Sequence, residues 1–414
     1  MNPYTLAVLV ALGVGLALQL WLLSRQAAYV SRHRAAVPEA FRDRIPLDAH
    51  QKAADYTVAK TRLLRVEEVI GAVLLLLWTL GGGLNAIDHY WSTALPSPLW
   101  AGTAFVVSIA LIMSILDLPL ALYRTFVLEE RFGFNRITPR IFITDTIKQI
   151  LLFALFGIPL AWVVLWLMDS AGPAWWLYTW ATWMGFGLFM TWAYPTLIAP
   201  LFNQFTPLAD EELRTRVVAL MERCGFRTDE VFVMDSSRRS SHGNAYFTGF
   251  GNHKRIVFFD TLLESLSPLQ VEAVLAHELG HFRRHHVFKR WLLIGTISLV
   301  GLAALGHLIH QPSFYQGLGV DTPSSHAALV LFLLVVPLFA LFVQPLLAYV
   351  LRAHEFEADD FACRTTEAPY ALREALLRLY RENAGTLTPD PLYSAFYDSH
   401  PPAPIRIARI TEKA

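Results

Sequence analysis

Residues 275–282 read LAHELGHF, and three of these side chains are of the types that metal-assisted water chemistry requires. His277 and His281 are four apart, so on a helix they stack one turn apart on one face and both imidazoles can meet a single ion. Glu278, beside the first histidine, then stands next to that ion as a base for water. H-E-x-x-H on a helix is a zinc signature for this reason. The residues upstream prepare such a helix: Ser267 suits the N-cap, Pro268 the first helical position and Gln270 the reciprocal capping position. Leu269, Ala273, Ala276 and Gly280 form a compact face for close packing. The competing expectation is a polar helix end at a membrane surface, which His285 and His286 would also suit.

A hydrolytic zinc site takes three protein ligands and leaves one position for water. The best second source of donors is AHEFEADDFACR, residues 353–364. Glu355 and Asp359 are four apart and share a helix face, whereas Glu357 points roughly the other way. Glu355 can supply the third ligand and leave Asp359 to orient a ligand histidine through its other ring nitrogen. His354 and Glu357 are the competing ligands. Only two cysteines occur, Cys224 and Cys363, which excludes a disulfide framework and four-thiolate metal sites.

The elements that must position these residues are mostly apolar. Of 414 residues, 54% are hydrophobic and 16% charged, and the mean hydropathy of +0.40 lies well above the soluble average. Zero net formal charge gives no reason to expect nucleic acid as a partner. A bilayer core needs roughly 20 apolar residues of helix. Seven segments qualify: 4–24, 66–87, 99–123, 149–169, 174–201, 290–311 and 326–350. The first lacks a basic leader and a clear cleavage site, so it is expected to stay as an anchor. The loop at 25–65 carries about nine Lys and Arg and 124–148 several more, while 88–98, 170–173 and 312–325 carry none. That asymmetry puts the basic loops, the 202–288 segment and the carboxyl tail in the cytoplasm. Trp91, Trp100, Trp175 and Trp176 fall where aromatic belts sit.

Between 229 and 260 the pattern turns from helix to strand. VFVMD (231–235), AYFTG (245–249) and RIVFFD (255–260) are β-type runs, the last two joined by the turn FGNHK. An exposed strand beside a zinc helix can bind an extended peptide by backbone pairing. The expected fold class is therefore mostly α: a polytopic membrane protein with about seven transmembrane helices and a cytoplasmic-side zinc metallopeptidase domain containing a small β-sheet. It divides into five spans (1–201), a catalytic zinc-helix region (202–289), two more spans (290–350) and a third-ligand helix with its tail (351–414). A different class, a transporter or receptor with structural zinc, finds its support in Asp117 inside the third span.

Several of these stretches together resemble the integral-membrane zinc CAAX prenyl endopeptidases over most of the chain. VLEERFGFNRIT (127–138), PLFNQFTPL (200–208), SHGNAYFTGFGNHKRIVFFDTLL (241–263), LAHELGHF, HEFEADDFA and SHPPAPIRI (399–407) carry the resemblance. It implies one Zn2+ held by His277, His281 and Glu355, with Glu278 as general base and acid. It implies that Asn244, Ala245 and Tyr246 line substrate on an edge strand, and that His400 and Arg406 steady negative charge at the scissile carbonyl. It also implies a large water-filled chamber enclosed by the spans and facing the zinc. The implied substrate is a membrane-associated peptide cleaved near its C-terminus, prenylated in the family's best-known activity. A general membrane-protein quality-control protease is the alternative. The Ala, Arg and Trp usage has a bacterial cast, and the ending ITEKA carries no retrieval signal for the endoplasmic reticulum. A bacterial member would occupy the inner membrane and serve another membrane-associated peptide; a eukaryotic one would occupy the endoplasmic reticulum.

Overall fold

The structure, a computed structural model, describes residues 1–248 and 253–412. Helix α1 (Pro3–His33) starts where the Asn2 side chain accepts the Tyr4 amide at 2.9 Å. Helix α2 (Leu47–Trp78) is polar in its first half and apolar in its second. The segment 66–87 expected as one span is not a continuous helix. α2 ends at Trp78 and the chain bends by 50° into α3 (Gly83–Ala94). The cause lies in the Gly81–Gly83 run: Gly82 takes φ +77°, which glycine adopts without steric cost. With that bent pair counted as one span, the long apolar helices of the described residues number up to seven.

The remaining helices of this half are α4 (Pro98–Tyr123), α5 (Pro139–Leu152), α6 (Ile158–Ser170), α7 (Trp175–Ala193) and α8 (Ala199–Phe202). Short π-helical stretches at Arg124–Glu129, Phe153–Gly157 and Tyr194–Ile198 extend or join them, so the spans run as Pro98–Glu129, Pro139–Ser170 and Gly172–Phe202. They bury little of themselves, only 11% of the most apolar window in each of the first two. The helices of this wall pack on their neighbours at one end, through Phe105, Leu165, Trp175, Leu305 and Leu331, and leave apolar surface for lipid along much of their length. Asp117 lies exposed on α4 and makes no hydrogen bond or ion pair among the described residues.

Beyond the wall the chain forms a compact polar unit. Strand β1 (Phe205–Pro207) leads to α9 (Glu211–Arg223), capped by the Asp210 carboxylate on the Leu213 amide. Strands β2 (Arg227–Met234), β3 (Ala245–Thr248) and β4 (His253–Phe259) complete a mixed sheet of order β1-β2-β4-β3. β3 pairs antiparallel with β4 on one side only, so it is an edge strand. Residues 249–252 of the expected turn lie outside the described residues. Next come α10 (Asp260–Ser265), α11 (Pro268–Arg283), α12 (His286–Leu308), α13 (Pro312–Gly317) and α14 (Ser325–Thr366). The tail folds as α15 (Pro369–Glu382), α16 (Pro391–Tyr397) and α17 (Ala403–Thr411).

Length explains how α14 serves both regions. Its 42 residues rise about 63 Å, twice the roughly 30 Å of a hydrocarbon core. The second half therefore leaves the apolar layer and enters the polar unit. There one core unites α9, the sheet, α11, the end of α14 and the tail, through Leu220, Phe258, Ala276, Ala362, Leu372 and Ile407. Residues 202–289 and the tail are thus packed on each other, with α14 joining them to the wall.

Candidate metal centre

In α11, Gln270 Oε1 accepts the Ser267 amide at 2.9 Å, completing the capping box. Gly280 sets how closely the next helix can approach. A Cβ at Gly280 would lie 3.0 Å from the Ala358 Cα and 3.2 Å from its carbonyl oxygen, so any side chain would push α14 away. Ala276 and Ala358, both fully buried, keep the same seam narrow. This close packing lays His277 and His281 of α11 against Glu355 of α14.

The three side chains converge. His277 Nε2 and His281 Nε2 are 3.3 Å apart. His277 Nε2 lies 3.4 Å from Glu355 Oε2, and His281 Nε2 lies 3.3 Å from Glu355 Oε1. Glu355 Oε2 is buried with no hydrogen-bond partner, a cost that a cation among these atoms would remove.

The opposite ring nitrogens show which atoms face inward. His277 Nδ1 is 2.9 Å from Asp359 Oδ1; a carboxylate only accepts, so Nδ1–H donates and Nε2 keeps its lone pair. His281 Nδ1 is 3.0 Å from His286 Nδ1, and His286 Nε2 is 3.1 Å from Glu357 Oε2. A neutral His286 donates Nε2–H to Glu357 and accepts at Nδ1 from His281, so the Nε2 lone pair of His281 also faces inward. Two such nitrogens and a carboxylate fit a divalent cation. Burial and the Arg406 charge oppose a proton on His277, yet the neighbouring Asp359 and Glu355 carboxylates prevail and raise its pKa to about 9. The same negative field would draw in a dication.

Glu278 is half-buried beside the cluster and makes no hydrogen bond or ion pair with the described residues, which leaves its carboxylate free for water. Arg406 of α17 is 5% exposed and grips Asp359 with both arms, Nε–Oδ2 at 2.6 Å and Nη2–Oδ1 at 2.7 Å. Its Nη2 stands 3.7 Å from Glu355 Oε2. His400 approaches from the open side, its side chain 62% exposed and its Nε2 3.4 Å from Glu355 Oε1. A cleft of about 710 Å³ leads here from the sheet edge, lined by His242, Asn244, Tyr380, Asn383, His400 and Arg406 among others. Asn244 is exposed on that cleft, whereas Ala245 and Tyr246 follow on β3 and do not line it. The loop 127–138 joins the same wall: Phe134 stacks on His242 at 4.4 Å, and its carbonyl accepts the Ser241 amide.

Two contributors escaped the sequence reading. His286, read there as interfacial polarity, is 1% exposed and connects His281 to Glu357. His354 stacks on His286 at 4.0 Å, so neither competing ligand, His354 or Glu357, belongs to the cluster. Arg352, one turn before Glu355, donates to the carbonyls of Ser394 and Asp398 at 3.1 and 2.8 Å. It thereby ties the metal-ligand helix to the segment that ends in His400.

A His-His-Glu cluster on two packed helices, set beneath a wall of apolar spans, defines a membrane metallopeptidase. Comparison with known proteins specifies which. Residues 26–204 match the model of the CAAX prenyl protease N-terminal region with its five membrane helices, and residues 207–414 match peptidase family M48. The chain is 33% identical to a CAAX prenyl protease 1 homolog of Dictyostelium discoideum over 91% of this chain and 90% of that one. It is 31% identical to CAAX prenyl protease 1 of Saccharomyces cerevisiae, over 90% and 88% of the two chains. The crystal structure of S. mikatae Ste24p superposes with a TM-score of 0.91 at 29% identity, covering 99% of both chains. The chain belongs to the CAAX prenyl protease group of peptidase family M48. It is a multi-pass membrane metalloendopeptidase with a metal cofactor and a peptide or protein substrate. The transporter or receptor reading built on Asp117 is set aside.

Proposed function

We propose that the chain holds one Zn2+ through His277, His281 and Glu355 and cleaves prenylated CAAX-type peptides near their C-terminus. The observation that carries this reading is the convergence of two Nε2 lone pairs and a buried, unpartnered carboxylate oxygen beside the free Glu278. Zinc at such a site supplies Lewis acidity toward the scissile carbonyl and toward water. Glu278 takes a proton from the attacking water and returns it to the leaving amine. His400, on the open side, donates to the oxygen that gains charge. Arg406 holds Asp359, which in turn holds the His277 ring, and adds positive charge close to Glu355. The free edge of β3 offers backbone groups to an extended peptide, with Asn244 beside it and Ala245 and Tyr246 following along the strand.

The catalytic unit in this reading is built from 202–289 and 351–414 together. The basic loops support a cytoplasmic face for it, of the endoplasmic reticulum in a eukaryote or of the inner membrane in a bacterium. Zero net charge leaves nucleic acid out of the proposal.

Farnesylated and unprenylated CAAX peptides, incubated with purified protein and read by mass spectrometry, test the substrate. Preference for the farnesylated peptide is expected; equal rates would shift the reading to general membrane-protein clearance. In Glu278→Gln, elemental analysis should still find one zinc per chain while turnover falls by at least about 100-fold. Unchanged turnover would remove Glu278 from its role.

A further inference from the structure

Strand β3 can guide a peptide to the metal centre only if its own position relative to the ligand helices is fixed, and it is only four residues long. Its start is carried by the loop 235–244. The Asn244 carbonyl accepts the Phe259 amide at 3.0 Å, which opens the β3–β4 ladder. Ahead of that point, side chains from two distant parts of the chain hold the loop, and the chemistry above uses neither.

On one side stands the apolar wall. Arg239 donates to the Asp145 carboxylate of α5 from Nε at 2.9 Å and from Nη2 at 3.1 Å, and to the Asn203 side chain from Nη1 at 3.1 Å. The charged pair is largely withdrawn from solvent, its side chains 19% and 15% exposed. A two-pronged grip of this kind fixes direction as well as distance. The Arg239 carbonyl also accepts the Arg136 amide at 3.1 Å.

On the other side stands the tail. Asn383, just past the end of α15, accepts the Gly243 amide at Oδ1 at 3.1 Å and donates from Nδ2 to the Gly243 carbonyl at 3.4 Å. One side-chain amide thus pairs with both backbone groups of a single residue, as a neighbouring strand would. The same Oδ1 lies 3.3 Å from His242 Nδ1. Gly243 directly precedes Asn244, and Asn203, Arg239, Gly243, Asn244 and Asn383 all line the cleft that leads to the metal centre.

We propose that Arg239 and Asn383 are positioning residues that set the register in which an extended peptide meets the metal centre, and so decide which bond is cut. The proposal rests on the edge-strand reading above. Backbone pairing alone does not choose a bond, because the same groups recur along any peptide. The choice falls to where the strand itself stands, and a displacement of one residue spacing, roughly 3.3 Å, brings a neighbouring bond to the metal. Arg239 ties the loop to the wall, while Asn383 ties it to the tail that carries His400. The start of β3 is thereby held to both sides of the cleft at once.

Asn383→Ala and Arg239→Ala, incubated with the farnesylated CAAX peptide and read by mass spectrometry, test this. Each should cut a neighbouring bond as well as the wild-type bond, with metal content near wild type. At the wild-type bond kcat/KM should fall by about 10- to 100-fold. Asn383→Asp keeps an acceptor for the Gly243 amide, and Arg239→Lys keeps the charge toward Asp145 without the fork. Each should fall between its alanine variant and wild type in product ratio. Slower cleavage confined to the wild-type bond would overturn the proposal, since a loss of rate alone is what a merely structural role gives. If an alanine variant does not fold, its conservative partner decides the matter by the same product ratio. A wild-type protein that cleaves no peptide would defeat the proteolytic reading itself, a result distinct from unaltered cut positions.

Discussion

His277 and His281 sit one turn apart and aim the same ring nitrogen at Glu355, yet they are held by opposite means. Behind His277 stand a buried carboxylate and a buried guanidinium, Asp359 and Arg406, joined by two short hydrogen bonds. Behind His281 stands another histidine, His286, which ends on Glu357, a carboxylate whose side chain is 46% exposed. One support is a charged pair shut away from water; the other ends near water. The first ties a ligand to the fold, because Arg406 comes from the last helix and cannot leave without stranding a charge. The second mainly sets the angle and basicity of a ring, and its loss strands much less.

The largest effect is expected from Asp359→Ala. The guanidinium of Arg406 would then be buried without its partner, a loss of about 3–5 kcal/mol in stability. Thermal unfolding in detergent should show a marked drop, and elemental analysis should show loss of metal. Arg406→Ala should act in the same direction, since it leaves Asp359 uncompensated. A midpoint within a degree or two of wild type would mean that the buried pair does not anchor the tail.

His286→Phe is expected to do less and to do it elsewhere. A phenyl ring can keep the stack on His354, and Glu357 is exposed enough to be satisfied by water. Stability should barely change, while metal affinity, measured by competition with a chelator, should fall about 10–100-fold. If this variant destabilises the protein as much as Asp359→Ala does, the two sides are not built differently and the comparison fails.

The sequence and the structure agree most closely where local periodicity carries the information. His277, Glu278 and His281, and again Glu355 and Asp359, are arranged by the helical repeat alone, so their spacing names the face they share. Hydropathy does the same for the spans. It reads through Gly81–Gly83, however, because three glycines cost little in mean hydropathy while permitting the positive φ that turns the chain. His286 could not be read in this way. His285 takes φ 56°, which breaks the helical repeat between α11 and α12, and across that break His286 Nδ1 lies 3.0 Å from His281 Nδ1. Arg406 was expected at the scissile carbonyl; its bidentate grip on Asp359 depends on contact between residues 47 apart, which no local pattern reports.

Arg352 offers the finest division between the two halves of the site. Arg352 stands one turn before Glu355, in the half of α14 that enters the polar unit. In the structure its guanidinium spans the end of α16 and the Asp398 carbonyl, two residues before His400. Among the described residues the His400 ring has two polar neighbours, Ser399 at Nδ1 and the Glu355 carboxylate at Nε2. The position of that imidazole over the site therefore depends on Arg352, while the ligand triad does not. Arg352→Ala should lower kcat by about 3- to 10-fold, the range of one or two lost hydrogen bonds, with zinc content and unfolding midpoint near wild type. Both bonds leave one nitrogen, Nη1, so Arg352→Lys, whose ammonium carries three N–H donors on a shorter stem, should recover part of the rate. Combined with His400→Ala, Arg352→Ala should add little further loss if it acts through His400. Full additivity in that double variant would show that Arg352 serves the reaction by another route.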